Sequence, residues 1–134
     1  MVLFVDAVLC VTTEMIGVGA VIFNTDKRAQ ATLSKPLKGS LSVFQAEALP
    51  LLVGLRWAES IGFPLKNISS YSLMLVQALN STKVYHNELG MLLDDIKMLM
   101  ENFSGAIISH VNHKFNLAAH NLSKQAHQLD GELI

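Results

Sequence analysis

Two acidic residues, Asp6 and Glu47, occupy positions from which their carboxylates could act together. Asp6 is the single charge in the apolar run at residues 2–11, and an aspartate in a buried strand is costly unless something neutralises it. Glu47 falls near the start of a helix-like run. Because hard cations prefer carboxylate oxygens, the two could converge on a divalent ion. Two such ions about 4 Å apart can activate a water and stabilise the leaving oxygen of a phosphodiester.

That chemistry normally needs a third carboxylate, and the sequence does not supply one where it is expected. The segment after the next predicted strand is Ser69-Ser70-Tyr71-Ser72, which offers hydroxyl groups but no acid. A structural role also stays open for both acids. Asp6 could be neutralised by a hydrogen bond or salt bridge, and Glu47 could favour a helix N-terminus.

The elements that would position these residues follow the order βββαβααβα. The predicted strands are 2–11, 16–24, 28–34, 66–71 and 106–111, and the predicted helices are 42–61, 73–80, 87–100 and 115–128. Short turns make the first three strands an antiparallel meander, and βα units add the others, so the fold class is α/β with a five-stranded mixed sheet flanked by helices. Residues 1–128 are predicted to form one domain, followed by a tail at 129–134.

Four residues mark predicted boundaries and irregularities in these elements. Ser42 is the expected N-cap of the first helix, and Gly62 its C-cap. Pro50 is expected to kink this helix beside Glu47, and Pro36 to terminate the third strand. The methionines of the helix at 87–100 are expected to fill gaps in the core.

Composition limits the possible classes of protein. The chain has 134 residues, of which 51% are hydrophobic and 16% charged, which fits one domain with a real core and excludes a disordered chain. The net charge of −1 predicts no strong attraction to nucleic acid or to an anionic membrane. The single cysteine and the lack of a targeting signal favour an intracellular location, nuclear or cytoplasmic. A strand that begins at Met1 is unusual, and the expectation is either a domain cut from a longer protein or a gene model that starts late.

Several short motifs stand in order along nearly the whole chain. They are Phe4-Val5-Asp6-Ala7, Gly17-Val18-Gly19-Ala20-Val21-Ile22, Leu33-Ser34-Lys35-Pro36, Ala46-Glu47-Ala48-Leu49, Gly54-Leu55-Arg56-Trp57-Ala58, Leu75-Val76-Gln77-Ala78-Leu79-Asn80, Gly90 with Asp94-Asp95-Ile96, His110-Val111 and Asn116-Leu117-Ala118-Ala119-His120-Asn121-Leu122. Each motif is weak alone, but the ordered set is specific. With them, the chain resembles the plant ribonuclease H-like domain, a retroelement-derived, reverse-transcriptase-like branch of the ribonuclease H superfamily.

The resemblance implies a five-stranded mixed sheet and endonucleolytic cleavage of the RNA strand of RNA–DNA hybrids with two Mg²⁺ ions. It implies that Asp6 and Glu47 are metal ligands and catalytic residues. It also implies that His110 is a catalytic histidine that assists proton transfer and product release, and that Asn116 binds substrate. Ordinary structural roles, at a strand end for His110 and at a helix N-terminus for Asn116, stay open.

Two further positions of the family's site are degenerate in this chain. The resemblance places Tyr71 at the second metal-binding aspartate and His120 at the fourth acidic position. A phenol is neutral at pH 7, so roughly two carboxylates would face two divalent ions. Neutral imidazole binds Mg²⁺ poorly compared with carboxylate, and His120 could instead cap or pack at a helix.

The sequence therefore predicts a ribonuclease H-like domain that binds nucleic acid, RNA–DNA hybrid or RNA, weakly and has little or no activity. One alternative is an active enzyme that uses Asp6, Glu47 and an unforeseen ligand such as His120 or Asp95. A second is a non-catalytic module that presents its surface to a protein partner. A truncated retroelement-derived domain is a third.

Overall fold

The computed structural model describes residues 1–10, 15–26, 28–38, 43–70, 72–81, 88–111 and 121. The elements in these parts are β1 (Val2–Cys10), β2 (Met15–Phe23), β3 (Ala29–Lys38), α1 (Val43–Ile61), β4 (Asn67–Ser70), α2 (Leu73–Asn80), α3 (Glu88–Glu101) and β5 (Ile107–His110). The predicted helix at 115–128 lies outside the described residues except for Asn121, which is helical. The predicted tail also lies outside them, so the domain boundary stays a prediction.

The strands form one five-stranded sheet in the order β3-β2-β1-β4-β5. β1 pairs antiparallel with β2, and β2 pairs antiparallel with β3. β4 pairs parallel with both β1 and β5. The predicted fold class is confirmed, and the strand that carries Asp6 is the central strand of the sheet.

The predicted end of the third strand is wrong, because β3 continues through Pro36 to Lys38. Pro36 lies opposite Gly17 of β2. Proline cannot donate to a ladder and is therefore confined to edge strands, bulges and strand starts. β3 is an edge strand with β2 as its neighbour in the sheet, which explains why Pro36 is tolerated within it.

The helix α1 is a continuous element of 19 residues, and Pro50 lies inside it without ending it. Gly62 caps its C-terminus as predicted, with a φ of +77° that favours glycine. The Gly62 N–H donates to the carbonyl of Glu59 at 3.1 Å, and the Phe63 N–H donates to that of Ala58 at 3.3 Å, which is the Schellman pattern. Ser42 lies outside the described residues. None of the described helices has both the length and the apolar character needed to cross a membrane.

The main core lies between α1 and one face of the sheet. Leu3 and Val5 of β1 approach the helix at Gly54, where an added Cβ would lie 2.6 Å from Val5 Cγ1. Gly54 is thus a place where the helix and the strand come too close for a side chain. Leu55, fully buried, belongs to the same core cluster.

The helix α3 packs against α1 and buries only one of its sides. Leu93 and Ile96 are buried in the core, and Met100 packs partly against it. Met91 and Met98 instead have 70% and 66% of their surface exposed. The expectation that the methionines of this helix fill the core is therefore wrong for these two, because their positions fall on the outer side of the helix.

Candidate active site

Three parallel strands, β1, β4 and β5, direct their carboxyl ends to the same edge of the sheet. The register aligns Phe4 of β1 with Ser69 of β4, and Ser70 of β4 with His110 of β5. Asp6 lies two residues beyond Phe4 along β1. Because β4 separates β1 from β5, the backbones that carry Asp6 and His110 are about 10 Å apart. The structure thus brings both residues to one edge, although not to adjacent strands.

Asp6 is 2% exposed, and its Oδ1 accepts a hydrogen bond from the backbone N–H of Ala7 at 2.8 Å. Side chains alternate between the faces of a strand, so Asp6 lies on the face opposite Leu3 and Val5. On the neighbouring strand it is paired with Gly19, which has no side chain to cover it. Asp6 is therefore a buried acid in a polar part of the sheet, away from the layer that packs under α1.

A buried serine, Ser34, continues this polar row across the sheet. Gly19 is paired with Asp6 on one side and with Ser34 on the other, and Ser34 has no exposed surface. Sequence reasoning did not assign a role to Ser34 or Gly19. The signal was available, because antiparallel pairing of the three predicted strands combined with side-chain alternation places all three residues in one row.

Two serines between the end of β4 and the start of α2, Ser70 and Ser72, accept hydrogen bonds from backbone N–H groups. The Oγ of Ser70 accepts from the N–H of Ser72 at 3.1 Å. Ser72 is the N-cap of α2, with its Oγ accepting from the N–H of Leu75 at 3.2 Å. Ser69, Ser70 and Ser72 are all buried. The hydroxyl oxygens of Ser70 and Ser72 therefore each accept a hydrogen bond from a backbone N–H group.

The structure tests the remaining predicted site residues only in part. The backbone of Glu47 lies in α1, but its side chain is outside the described structure. Tyr71, Asn116 and His120 also lie outside the described residues. His110 is described as an exposed residue at the end of β5. Asp6 and His110 are thus the two predicted catalytic residues whose side chains are described.

Among the described side chains, Asp6 is the candidate ligand for a divalent ion. In the part of the chain that the structure covers, no three residues of the types His, Cys, Asp and Glu are grouped as a metal site requires. A pair of divalent ions is normally held by several carboxylates. Asp6 contributes one, and the sequence of the segment at 69–72 contributes hydroxyls instead of an acid.

Comparison with solved structures shows which fold this chain shares. The N-terminal RNase H domain of Rv2228c from Mycobacterium tuberculosis is 22% identical and superposes with a TM-score of 0.80, over 95% of this chain and 92% of that chain. RNase H1 from the archaeon Halobacterium salinarum is 22% identical, with a TM-score of 0.81, over 93% of this chain and 95% of that chain.

A third similar structure is LC11-RNase H1, isolated from compost by a metagenomic approach and solved in complex with RNA/DNA hybrid. It is 20% identical, with a TM-score of 0.80, over 95% of this chain and 96% of that chain. Comparison with curated proteins gave no significant match. The family model described as reverse transcriptase-like matches residues 4–126. With this match over nearly its whole length, the chain belongs to the reverse transcriptase-like family, and its fold is that of ribonuclease H.

Proposed function

We propose that this chain is a ribonuclease H-like domain of the RNA–DNA hybrid endoribonuclease lineage that binds nucleic acid and cleaves hybrids weakly or not at all. The observation that carries the proposal is the segment Ser69-Ser70-Tyr71-Ser72 at the carboxyl end of β4. It lacks an acid, while Asp6 is retained on the neighbouring strand. The family match supports the lineage, and the hybrid complex of LC11-RNase H1 supports the class of ligand.

The weakness of catalysis follows from the donors that this chain offers to metal ions. Mg²⁺ at such a site supplies an activated water and neutralises the leaving oxygen. Asp6 and Glu47 would be its ligands here, with Tyr71 in place of a third carboxylate. Tyrosine contributes a neutral phenol at pH 7. The hydroxyls of Ser70 and Ser72 do not replace the acid, because they are neutral and each oxygen already accepts a backbone hydrogen bond.

Binding of the hybrid would depend on its shape more than on charge. An A-form duplex is contacted through its backbone and 2′-hydroxyl groups across the wide minor groove. A chain with a net charge of −1 gains little from counterion release, so its electrostatic binding to the hybrid is weak. His110 at the end of β5 and Asn116 are the proposed contacts on the substrate side, with His110 also assisting proton transfer.

The decisive experiment measures cleavage of a fluorogenic RNA–DNA hybrid by the wild type and by Tyr71→Asp, in Mg²⁺ and in Mn²⁺. We expect negligible cleavage by the wild type and a gain of at least about tenfold with Tyr71→Asp, because a third carboxylate restores ligand charge to the metal site. Tyr71→Asn is the matched control, since it is close to aspartate in size but uncharged. It should remain inactive, and adding Asp6→Asn to Tyr71→Asp should remove the gain.

Two outcomes would contradict the proposal in different ways. Strong cleavage by the wild type that Asp6→Asn abolishes would show an active enzyme with another ligand, such as His120 or Asp95. A labelled hybrid that shows no change in fluorescence anisotropy at low salt would rule out nucleic-acid binding. That second result would favour the alternative of a non-catalytic interaction module.

A further inference from the structure

The outer side of α3 carries two exposed methionines, Met91 and Met98. They are 70% and 66% exposed, and they are separated along the helix by about two turns. At about 100° per residue, their positions differ by only about 20° around the helix axis. The two side chains therefore form one methionine stripe, on the side of the helix opposite to the buried Leu93 and Ile96.

Carboxylates border the methionine stripe on both sides. Around the helix axis, Asp95 lies about 40° to one side of Met91, and Asp94 lies about 60° to the other side. Glu101, in the last turn of α3, lies on the same side of the stripe as Asp94. All three acids are exposed. The outer side of α3 thus has an apolar centre between two acidic borders.

The negative charge of these borders is not neutralised within the described part of the chain. No hydrogen bond or ion pair there involves the carboxylates of Asp94, Asp95 or Glu101. Lys97 is the single basic residue in the sequence of α3, and its ammonium donates to the carbonyl of Ser81 at 3.3 Å. A cation supplied by another molecule would therefore meet acids that α3 itself does not neutralise.

The C-terminal end of α3 also favours an external cation. The carbonyl groups at a helix C-terminus carry partial negative charge, so cations are favourable there and acids are not. The last turn of α3 contains Glu101 and no basic residue. A cation placed beside Glu101 would interact favourably with both the carboxylate and the end of the helix.

The exposed apolar residues of α2 lack such charged neighbours. Leu73 and Met74 are 50% and 65% exposed, but the sequence of α2 contains no charged residue. Single exposed apolar residues are ordinary on protein surfaces and need no partner to explain them. The feature that distinguishes α3 is the combination of an apolar stripe with two acidic borders.

The acidic borders decide which class of partner suits this surface. Nucleic acid and anionic membranes carry negative charge, which the acids would repel. A helix with an apolar stripe between lysine or arginine borders has the complementary pattern, and paired helices recognise each other through such stripes and flanking charges. Methionine side chains are flexible, so they adapt well to the apolar side chains of a partner.

We propose that the outer side of α3 docks a basic amphipathic helix of a partner protein, with its apolar stripe on the two methionines and its cations beside Asp94, Asp95 and Glu101. α3 packs on α1, which covers the face of the sheet opposite to the candidate active site. The docking surface does not depend on nuclease activity or on hybrid binding. It therefore goes beyond the function proposed above and can succeed or fail independently of it.

The test uses the full chain and a capped, fluorescently labelled helical peptide with leucine along one side and lysine on both borders. Its matched control has the same leucines and glutamine in place of lysine. We expect the anisotropy of the lysine peptide to rise to saturation as protein is added, with at least about tenfold weaker binding of the glutamine peptide. The methyl signals of Met91 and Met98 in a ¹H–¹³C spectrum should shift with the lysine peptide, whereas that of Met74 should not.

Substitutions at exposed positions assign the binding to the borders and to the stripe. Asp95→Asn should weaken binding about threefold, because one exposed charge pair is lost, and combining it with Asp94→Asn should weaken binding about tenfold. Asp26→Asn removes an exposed acid outside α3 and should leave the affinity unchanged. Met98→Gln keeps the approximate length of the side chain but removes its apolar character, and should weaken binding about tenfold.

Several results would overturn the proposal. These are equal affinity for the two peptides, no binding of either, or equal effects of Asp95→Asn and Asp26→Asn. Binding that Met98→Gln leaves unchanged would also overturn it, because charge alone would then account for the affinity. Self-association of the chain that Met98→Gln abolishes, without binding of the lysine peptide, would identify a second copy as the occupant and would overturn it as well.

Discussion

On the face of the sheet that α1 covers, Leu3 and Val5 of β1 meet the helix at Gly54. On the opposite face, the same strand carries Asp6, which lies in a row with Gly19 and Ser34. The first face is held by the sum of many apolar contacts, none of which needs a particular chemical group. Any chemistry on the second face would depend on a few polar groups, each of which must be of the right type.

This difference explains how a fold can persist while its site changes. Structures that share 20–22% of their residues with this chain still superpose with TM-scores of 0.80–0.81. An apolar layer keeps its shape under many substitutions that preserve volume and pattern. A site that relies on three or more carboxylates would lose its chemistry if one of them were absent, which is the role proposed above for the tyrosine at position 71.

The largest effect is expected from Leu55→Ala in the layer under α1. Leu55 has no exposed surface, and removal of a buried leucine side chain leaves a cavity that costs about 2–5 kcal/mol in the free energy of unfolding. Urea denaturation followed by circular dichroism measures the loss. Arg56→Ala on the exposed side of the same helix is the control and should change stability by no more than about 0.5 kcal/mol. Equal losses in the two variants would contradict the packing argument.

A smaller loss is expected from Gly54→Ala, which tests the closest approach between α1 and β1. Alanine would favour the helix by about 1 kcal/mol, but its Cβ would lie 2.6 Å from Val5 Cγ1 and force a shift that costs about 1–3 kcal/mol. We expect a net decrease in stability in urea denaturation. Combining Gly54→Ala with Val5→Ala should show a favourable coupling, since the second change removes the clashing atom. A Gly54→Ala protein more stable than the wild type would show that this contact is not tight.

Much of the fold could be predicted from the sequence because hydrophobic periodicity reports directly on which face is buried. The helix at 73–80 was predicted with its observed bounds, and Gly62 was predicted as the cap of α1. The continuation of β3 through Pro36 was missed. Whether proline is tolerated in a strand depends on its place in the sheet, and that place is a property of the tertiary fold.

The site could be predicted less completely from the same sequence. Asp6 was found because one charge in an apolar strand is conspicuous, and the missing acid at Tyr71 became visible through the family resemblance. The partner row of Gly19 and Ser34 was missed, because its signal lies in the pairing of the predicted strands and not in the residue types, which are small and neutral.

Ser72 belongs to the segment of the candidate site that follows β4, but its side chain caps α2. Its substitution is therefore expected to change stability. Ser72→Ala removes the oxygen that accepts from the Leu75 N–H, which should cost about 1 kcal/mol. Thermal unfolding would show the loss as a lower midpoint. Ser72→Asn can retain the cap and should stay close to the wild type. If alanine and asparagine destabilised equally, the capping bond would not be the reason for this serine.

The smallest effect on stability is expected from Asp6→Asn, although Asp6 is one of the residues proposed above to be catalytic. The amide oxygen can still accept from the Ala7 N–H, and the side chain keeps its size. Replacing the carboxylate by an amide weakens that hydrogen bond, which lowers stability. It also removes the cost of burying a charge, which raises stability, so the two effects oppose each other.

We therefore expect a change within about 1 kcal/mol in urea denaturation at pH 7. Asp6→Ala is the contrasting variant, because it removes the acceptor as well as the charge and should destabilise more. A loss of several kcal/mol in Asp6→Asn would mean that the carboxylate itself holds the central strand in place. The presence of an aspartate at position 6 would then be explained by the stability of the fold. It would not be evidence that the site descends from a nuclease. A small change would mean that stability does not explain the acid at position 6, which would remain consistent with the proposed nuclease ancestry of the site.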